Sequence, residues 1–538
     1  MKRTRGAGKL KRDVGLVGLT FVSVSGMLGS GWLFAPLLVS QEAGPAAVVA
    51  WLIGGSLILL VALTFAEVSS LLPIAGGIAR LPHFCYGNVV SMVMGFTAWV
   101  GYASNAPIAT LILMEYAAHN IPWIYRGDIS NKELSLGGMA VAGGILLVMV
   151  LINVVGVRAL AACNTALTWA KLIIPLVIGG ALVAAHFDIG NFTARGGFAP
   201  FGIGGILTAI ATGGVIFAFT GFRHAIDLAG ETRNPKVTIP LALTLSVVIC
   251  TLLYGFVQVA FIGALDADQL SQGWGHLDLN HGLGPIAAVA AALGLVWAGV
   301  VIYGGAIIAP FGGGLVSTGS NARLTLALAR NGFFLPFFDA LSRSGVPLRG
   351  LIVNYAVSLF MVLVIPFQEL ITLNVATIVL SFSVGPLSVY CFREQLADRA
   401  RGYSVPWVAV TAPTAFVGSV LILYWAGWDT MGHLAIALAA GAVLYGIYLA
   451  TDKSARRRLD WPHAAWLLPL LIGIAVISAL GNFGGGLGVI PLGWDLLACV
   501  VLAIGVFRHA YNCRLPKAQV ERYLAEETAA APEDEALQ

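Results

Sequence analysis

Ser25-Gly26-Met27-Leu28-Gly29-Ser30-Gly31 lies in the middle of an apolar run that covers residues 14–40. The run is long enough to cross a bilayer, because a helix rising about 1.5 Å per residue needs about 20 apolar residues to span a hydrocarbon core of about 30 Å. Glycine weakens a helix by about 1 kcal/mol relative to alanine, so a cluster at mid-span is where the backbone can unwind. A second cluster, Gly213-Gly214 followed by Phe217-Ala218-Phe219-Thr220-Gly221, interrupts the run 204–230. Tight helix packing also uses small residues. The spacing favours unwinding: the clusters fall in the first and sixth spans, as two five-helix repeats of inverted topology would place them. Irregular backbone inside a bilayer persists only where it lines a cavity. The two breaks therefore point to one central binding site.

Outward from these breaks, apolar segments lie near 14–40, 45–71, 84–119, 136–157, 160–186, 204–230, 237–264, 284–316, 350–366, 369–392, 405–426, 431–450, 463–481 and 490–511. With 58% hydrophobic and 10% charged residues the chain cannot be a water-soluble domain, which carries about a quarter charged residues. The fold expected is an all-α polytopic membrane protein of about 14 spans, with helices 1 and 6 broken and four C-terminal helices added to a five-plus-five inverted repeat. Its divisions are a basic N-terminus (1–13), a first repeat (14–186), a loop (187–203), a second repeat (204–392), the additional helices (405–511) and a tail (512–538). The tail is expected to be disordered beyond a short amphipathic helix.

Lys and Arg resist translocation. With the N-terminus inside, three of the 30 Lys and Arg fall outside (Arg126, Lys132, Arg195), two in the membrane (Lys171, Arg223) and the rest on the inner side. That asymmetry predicts a cytoplasmic membrane protein with both termini cytoplasmic. The basic start (Lys2, Arg3, Arg5, Lys9, Lys11, Arg12) reads as a topology anchor that also touches anionic lipid. The six cysteines show no paired spacing. The loop 266–281, with Asp266, Asp268, His276, Asp278 and His281, reads as a solvated external loop, and 317–349 as a cytoplasmic linker.

Four passages carry a family resemblance. They are Gly29-Ser30-Gly31-Trp32-Leu33-Phe34-Ala35-Pro36 in the first span, and Glu67 followed by Pro73-Ile74-Ala75-Gly76-Gly77 after the second. The third is Phe219-Thr220-Gly221-Phe222 leading to Gly230-Glu231-Thr232-Arg233-Asn234-Pro235, and the last is Ser320-Asn321-Ala322-Arg323 through Ala329-Arg330-Asn331-Gly332 to Leu335-Pro336. In this order the chain resembles the amino acid–polyamine–organocation (APC) superfamily over residues 14–450. The segment Gly221 to Glu231 is similar to the branch containing bacterial aspartate:proton symporters. Members that carry cationic substrates have an acid where this chain has Arg223.

The resemblance implies an amino acid site. N–H groups of Gly29, Ser30 and Gly31 would face the substrate carboxylate at the start of a half-helix, whose dipole favours an anion. Carbonyls at Met27, Phe217 and Thr220 would accept from the ammonium. Phe217 resembles the aromatic that covers the substrate, against a reading as core filler, and Trp32 has the same two readings. Glu67, Asp227 and Glu231 match positions that tie loops and gates.

A lysine inside an apolar run costs about 2.5 kcal/mol or more. Lys171 resembles the family's fifth-helix lysine, which stands where sodium-coupled relatives bind the ion, so a protonatable amine would replace the metal's charge. Snorkelling to the interface is the alternative. Arg223 has three readings: a bidentate contact to an acidic substrate, an i,i+4 pair with Asp227, and snorkelling. His224 titrates near neutrality when exposed, but a lone histidine in a span more often packs.

The expected function is a secondary amino acid transporter, proton-coupled and working by alternating access, with aspartate or glutamate as candidate substrates. A neutral amino acid carrier, an exchanger, and a channel or nutrient sensor of the same fold are the alternatives. No phosphate-loop motif or clustered nucleophile points to an enzyme, to a cofactor or to nucleic acid. The expected partners are an amino acid, protons and lipid, with the proton motive force as energy source.

Overall fold

The computed structural model describes residue 12 and residues 14–29, 31–74, 77–118, 121–126, 133–155, 157–277, 279, 284–330, 332–342, 345–451 and 459–530. All fourteen apolar segments carry helix. The first span is two half-helices, α1 (Leu16–Met27) and α2 (Gly31–Ala43). They are followed by α3 (Ala47–Leu71), the short α4 (Gly77–Tyr86) and α5 (Asn88–Ala118). A small hairpin of β1 (Tyr125–Arg126) and β2 (Glu133–Leu134) precedes α6 (Leu136–Val155) and α7 (Val157–Ala185).

The second repeat opens with three pieces, α8 (Gly202–Ala211), α9 (Val215–Phe219) and α10 (His224–Asp227). It continues with α11 (Pro235–Ala264), α12 (Pro285–Ala292), α13 (Val296–Arg330), α14 (Leu348–Val364), α15 (Phe367–Phe382) and α16 (Val384–Gln395). Beyond it lie α17 (Val408–Trp425), α18 (Trp428–Thr451), α19 (Leu467–Leu480) and α20 (Trp494–Asn512). Among the described residues ten helices are long and apolar enough to cross a membrane, eleven if the pair bent by 40° at 211–215 counts as one.

Corresponding spans of the two repeats pack on each other, α3 on α11 and α5 on α13. Glycines permit this close approach. A methyl on Gly55 would lie 2.4 Å from the Thr251 hydroxyl, and one on Gly101 2.3 Å from Ile378. Substituting either would push α3 off α11, or α5 off α15.

One expectation needs correction. The linker placed at 317–349 begins later, because α13 runs on to Arg330: Ala322, Leu324, Ala327 and Leu328 stay buried and keep the helix packed. The tail carries a short helix, α21 (Lys517–Ala530), which lies against α4 and α16. The His83 and Tyr523 rings stack at 4.4 Å, and the Leu515 N–H donates to the Cys85 carbonyl at 2.8 Å. On the same face Val14 exchanges hydrogen bonds with Glu231 and Arg233, at 3.0 and 2.8 Å. This face, where both described ends of the chain lie, is the terminal face.

Candidate functional site

Both breaks form where the glycines stand. In the first span α1 stops at Met27 and α2 starts at Gly31, with the Gly29 N–H turned back onto the Met27 carbonyl at 2.8 Å. Gly29 therefore does not offer the free donor expected of it, and Ser30 lies outside the described residues. The Gly31 N–H opens α2, where the first turn of a helix lacks internal partners. In the sixth span α8 ends after Ala211, and Gly214 takes a left-handed φ of +98°, which favours glycine. A second irregularity follows, a 3-10 turn over Thr220–Arg223 between α9 and α10.

The breaks meet at a small cavity of about 40 Å³. Met27, Gly29, Gly31, Phe217 and Thr220 line it, joined by Asn105 from α5 and Ser317 from α13. Phe217 and Gly31 also line a larger vestibule of about 810 Å³ that opens towards the β1–β2 hairpin, away from the terminal face. Phe217 thus stands between vestibule and cavity. The Met27 carbonyl accepts from the Tyr254 hydroxyl at 2.7 Å, and the Phe217 carbonyl from the Thr220 hydroxyl at 2.8 Å.

A family model describing amino acid permeases matches residues 14–433. The chain belongs to the amino acid permease family of the APC superfamily. It is 33% identical over 504 residues to the glutamate/serine transporter AimA of Bacillus subtilis, covering 92% of this chain and 93% of that protein. It is 31% identical over 521 residues to an aspartate-proton symporter of the same organism, with 96% and 99% covered. A branched-chain amino acid permease of B. subtilis, BcaP, is 23% identical over 461 residues, with 83% and 94% covered.

In this permease Lys171 is buried between α1, α7 and α13, which excludes snorkelling. Its ammonium donates to the Ser25 carbonyl at 2.7 Å and the Ser25 hydroxyl at 2.9 Å. Among the described residues no carboxylate comes within ion-pair distance of it. A methyl on Gly312 would lie 2.7 Å from Nζ, so that glycine makes the room for the amine.

Arg223 is fully buried and does not line the cavity. Its guanidinium lies over the Tyr102 ring, 3.5 Å from the centroid, and none of its three nitrogens has a hydrogen-bond partner among the described residues. Snorkelling is again excluded, and the i,i+4 ion pair with Asp227 does not form. The Tyr102 hydroxyl donates instead to Asp227 Oδ2, so one tyrosine serves both charges.

Closure of the terminal face uses the expected acids. Glu67 accepts from Arg393 and from the Val405 N–H, both at 2.7 Å, with Arg401 at 3.2 Å, tying α3 to α16 and to the segment before α17. Glu231 pairs with Arg323 of α13 at 3.2 Å. Trp32 is buried in the core beside Gly305, off the cavity wall, with its indole N–H unpartnered among the described residues. Sequence reading missed Tyr102, Asn105, Tyr254 and Ser317. Asn105 carried one usable signal, as an amide in the apolar run from Ala98 to Leu113, and Asn374 and Ser317 complete its hydrogen bonds at 2.9 and 3.2 Å.

Proposed function

We propose that this permease is a secondary active transporter of the cytoplasmic membrane. It moves an amino acid together with protons by alternating access, with both termini on the cytoplasmic side. The observation that carries the reading is Lys171: an amine buried with no acid beside it among the described residues, held on Ser25 in the last turn of α1 before the break. Such a group costs least when it can shed its proton, so its occupancy responds to the other groups of the cavity. The positive-inside asymmetry supports the orientation, and the aspartate-proton symporter among the relatives supports the coupling ion.

For the substrate, Gly31 at the start of α2 supplies the anion end, and the carbonyls of Phe217 and Thr220 the ammonium end, the Met27 carbonyl being taken by the Gly29 N–H and the Tyr254 hydroxyl. The vestibule has the volume of a ligand site, whereas the cavity below it holds roughly three waters, so access and binding are different geometries of one path. An acidic substrate is the first reading, because Arg223 is a buried guanidinium whose nitrogens have no hydrogen-bond partner among the described residues and sits three residues beyond Thr220. A neutral, small polar substrate is the second, favoured because Arg223 stays off the cavity wall while Thr220, Ser317 and Asn105 face it. The test is uptake of aspartate, glutamate, serine and leucine into proteoliposomes under an imposed pH gradient. Concentrative uptake that collapses with a protonophore is expected. Uptake indifferent to the gradient removes proton coupling, and serine uptake unaffected by excess aspartate or glutamate removes the acidic substrate.

A further inference from the structure

Lys171 faces a difficulty as a proton carrier: it is sealed between helices, and the carboxylates of the terminal face are out of its reach. The residue that spans this gap is His224. Its ring lies against Gly26, one residue along α1 from the Ser25 that holds Lys171. A methyl on Gly26 would meet Cδ2 of the imidazole at 2.2 Å and Nε2 at 2.8 Å. The opposite edge of the ring faces the terminal side. There Nδ1 is 3.0 Å from the Ser320 hydroxyl and 4.0 Å from Asp227 Oδ2, and the side chain is fully buried. Asp227 in turn accepts from the Tyr102 hydroxyl and keeps Oδ1 without a partner among the described residues.

Imidazole is the side chain with two nitrogens that can take a proton at one end and give one up at the other. The geometry points to His224 as a proton-relay residue between Lys171 and Asp227. This rests on the proton-coupled reading and adds the path to it. In the transfer an Nζ–H bond of Lys171 breaks and an Nε2–H bond of His224 forms through intervening water, since Nζ itself is held on Ser25. The Nδ1–H bond then breaks and a carboxyl O–H forms on Asp227, once a ring movement closes the 4.0 Å between Nδ1 and Oδ2 or one water bridges it, so one proton moves and no other reactant is needed. The charged and titratable groups near the ring are Lys171 from α7, Tyr102 from α5, and Arg223 and Asp227 from its own segment, while Arg323 from α13 acts on Asp227. Gly26 is required on α1, since any larger residue would push the ring away from its place between the two groups.

The experiment compares two modes in proteoliposomes: accumulation driven by a pH gradient, and exchange of labelled for unlabelled amino acid at equal pH, which needs no proton cycle. His224→Gln keeps a polar side chain at this place but cannot relay. It is expected to lower gradient-driven accumulation by about tenfold or more while exchange stays within about twofold of the parent. Accumulation within about twofold of the parent overturns the inference. If His224→Gln does not fold, Ser320→Ala decides, because it keeps the imidazole and removes its orienting hydrogen bond. A shifted pH profile of accumulation with unchanged exchange is then expected, and an unchanged profile overturns the relay. Lys171→Ala separates the two levels of the proposal. A parent protein that ignores the gradient refutes proton coupling and the relay together, whereas coupling lost in Lys171→Ala and kept in His224→Gln refutes the relay alone.

Discussion

Lys171 and Arg223 are both cations buried in the membrane interior, and they are solved in opposite ways. Among the described residues Lys171 has two good hydrogen bonds to Ser25 and no counter-charge, while Arg223 has a counter-charge nearby in Asp227 and no partner for its three nitrogens within hydrogen-bond geometry. An amine can lose its proton when buried, but a guanidinium cannot. The first arrangement is thus reversible in charge and the second is permanent, balanced through Tyr102, whose ring carries the guanidinium and whose hydroxyl serves the carboxylate. Gly26 and Gly221 cross between the two cations, so a switchable and a fixed charge flank the point where α1 meets the sixth span. On the proton-coupled reading proposed above, the switchable charge would sense the proton and the fixed one would keep the walls in register.

The largest expected effect breaks the comparison on the lysine side. Lys171→Ala should lower pH-driven accumulation in proteoliposomes by roughly a hundredfold, in the range of a lost acid–base group. The same protein should be at least as stable to heat as the parent, because a desolvated amine costing about 2.5 kcal/mol has gone. Full pH-driven uptake by Lys171→Ala would remove the proton role. On the arginine side the sign of the stability change reverses. Arg223→Leu leaves Asp227 buried without the guanidinium that balances it, and a loss of about 3–5 kcal/mol is expected, read from thermal unfolding of the detergent-purified protein. Adding Asp227→Asn should recover part of that loss. Equal stability of parent and Arg223→Leu would show that the two charges do not balance each other.

The crossing itself gives a third, smaller effect. A methyl on Gly221 would lie 2.1 Å from the Gly26 carbonyl carbon and 2.3 Å from the Met27 nitrogen, backbone atoms that cannot swing away. Gly221→Ala is expected to cost about 1–3 kcal/mol or more, with purified yield falling in step. Gly29→Ala serves as its control for folding, because nothing lies within 4 Å of a methyl there. If both variants purify alike, the close crossing is not what holds α1 against the sixth span.

How much of this could be read beforehand follows from whether the signal is local. The breaks were legible because glycine acts on its own stretch of backbone, and Lys171 because a single charge in an apolar run is costly wherever it points. Glu67 and Glu231 sat at helix ends, where ion pairs with loops are the rule. The role of Arg223 was not legible. Its i,i+4 spacing to Asp227 presumes a regular α-helix, but Thr220–Arg223 is a 3-10 turn and the helix restarts at His224, which changes the relative direction of the two side chains. Tyr102 was illegible for another reason: it is one tyrosine in a 31-residue helix, and its partners stand more than a hundred residues away. Likewise nothing local ties Tyr254 to the Met27 carbonyl, a contact made only once α11 packs on α1.

Tyr102 supplies the smallest effect and the most selective one. Tyr102→Phe keeps the ring beneath Arg223 and removes only the hydroxyl that serves Asp227, so it separates the two halves of the tyrosine's work. Asp227 would then have both oxygens unsatisfied in a buried site, which costs about 1–3 kcal/mol. Tyr102→Leu removes the ring as well and adds the loss of the cation–π contact, about 2 kcal/mol when desolvated, plus a cavity. The ordering parent, then Phe, then Leu in thermal stability is the expected outcome. If Phe and Leu are equally damaging, the hydroxyl carries the whole contribution, and Arg223 is held by something other than the ring on which it lies.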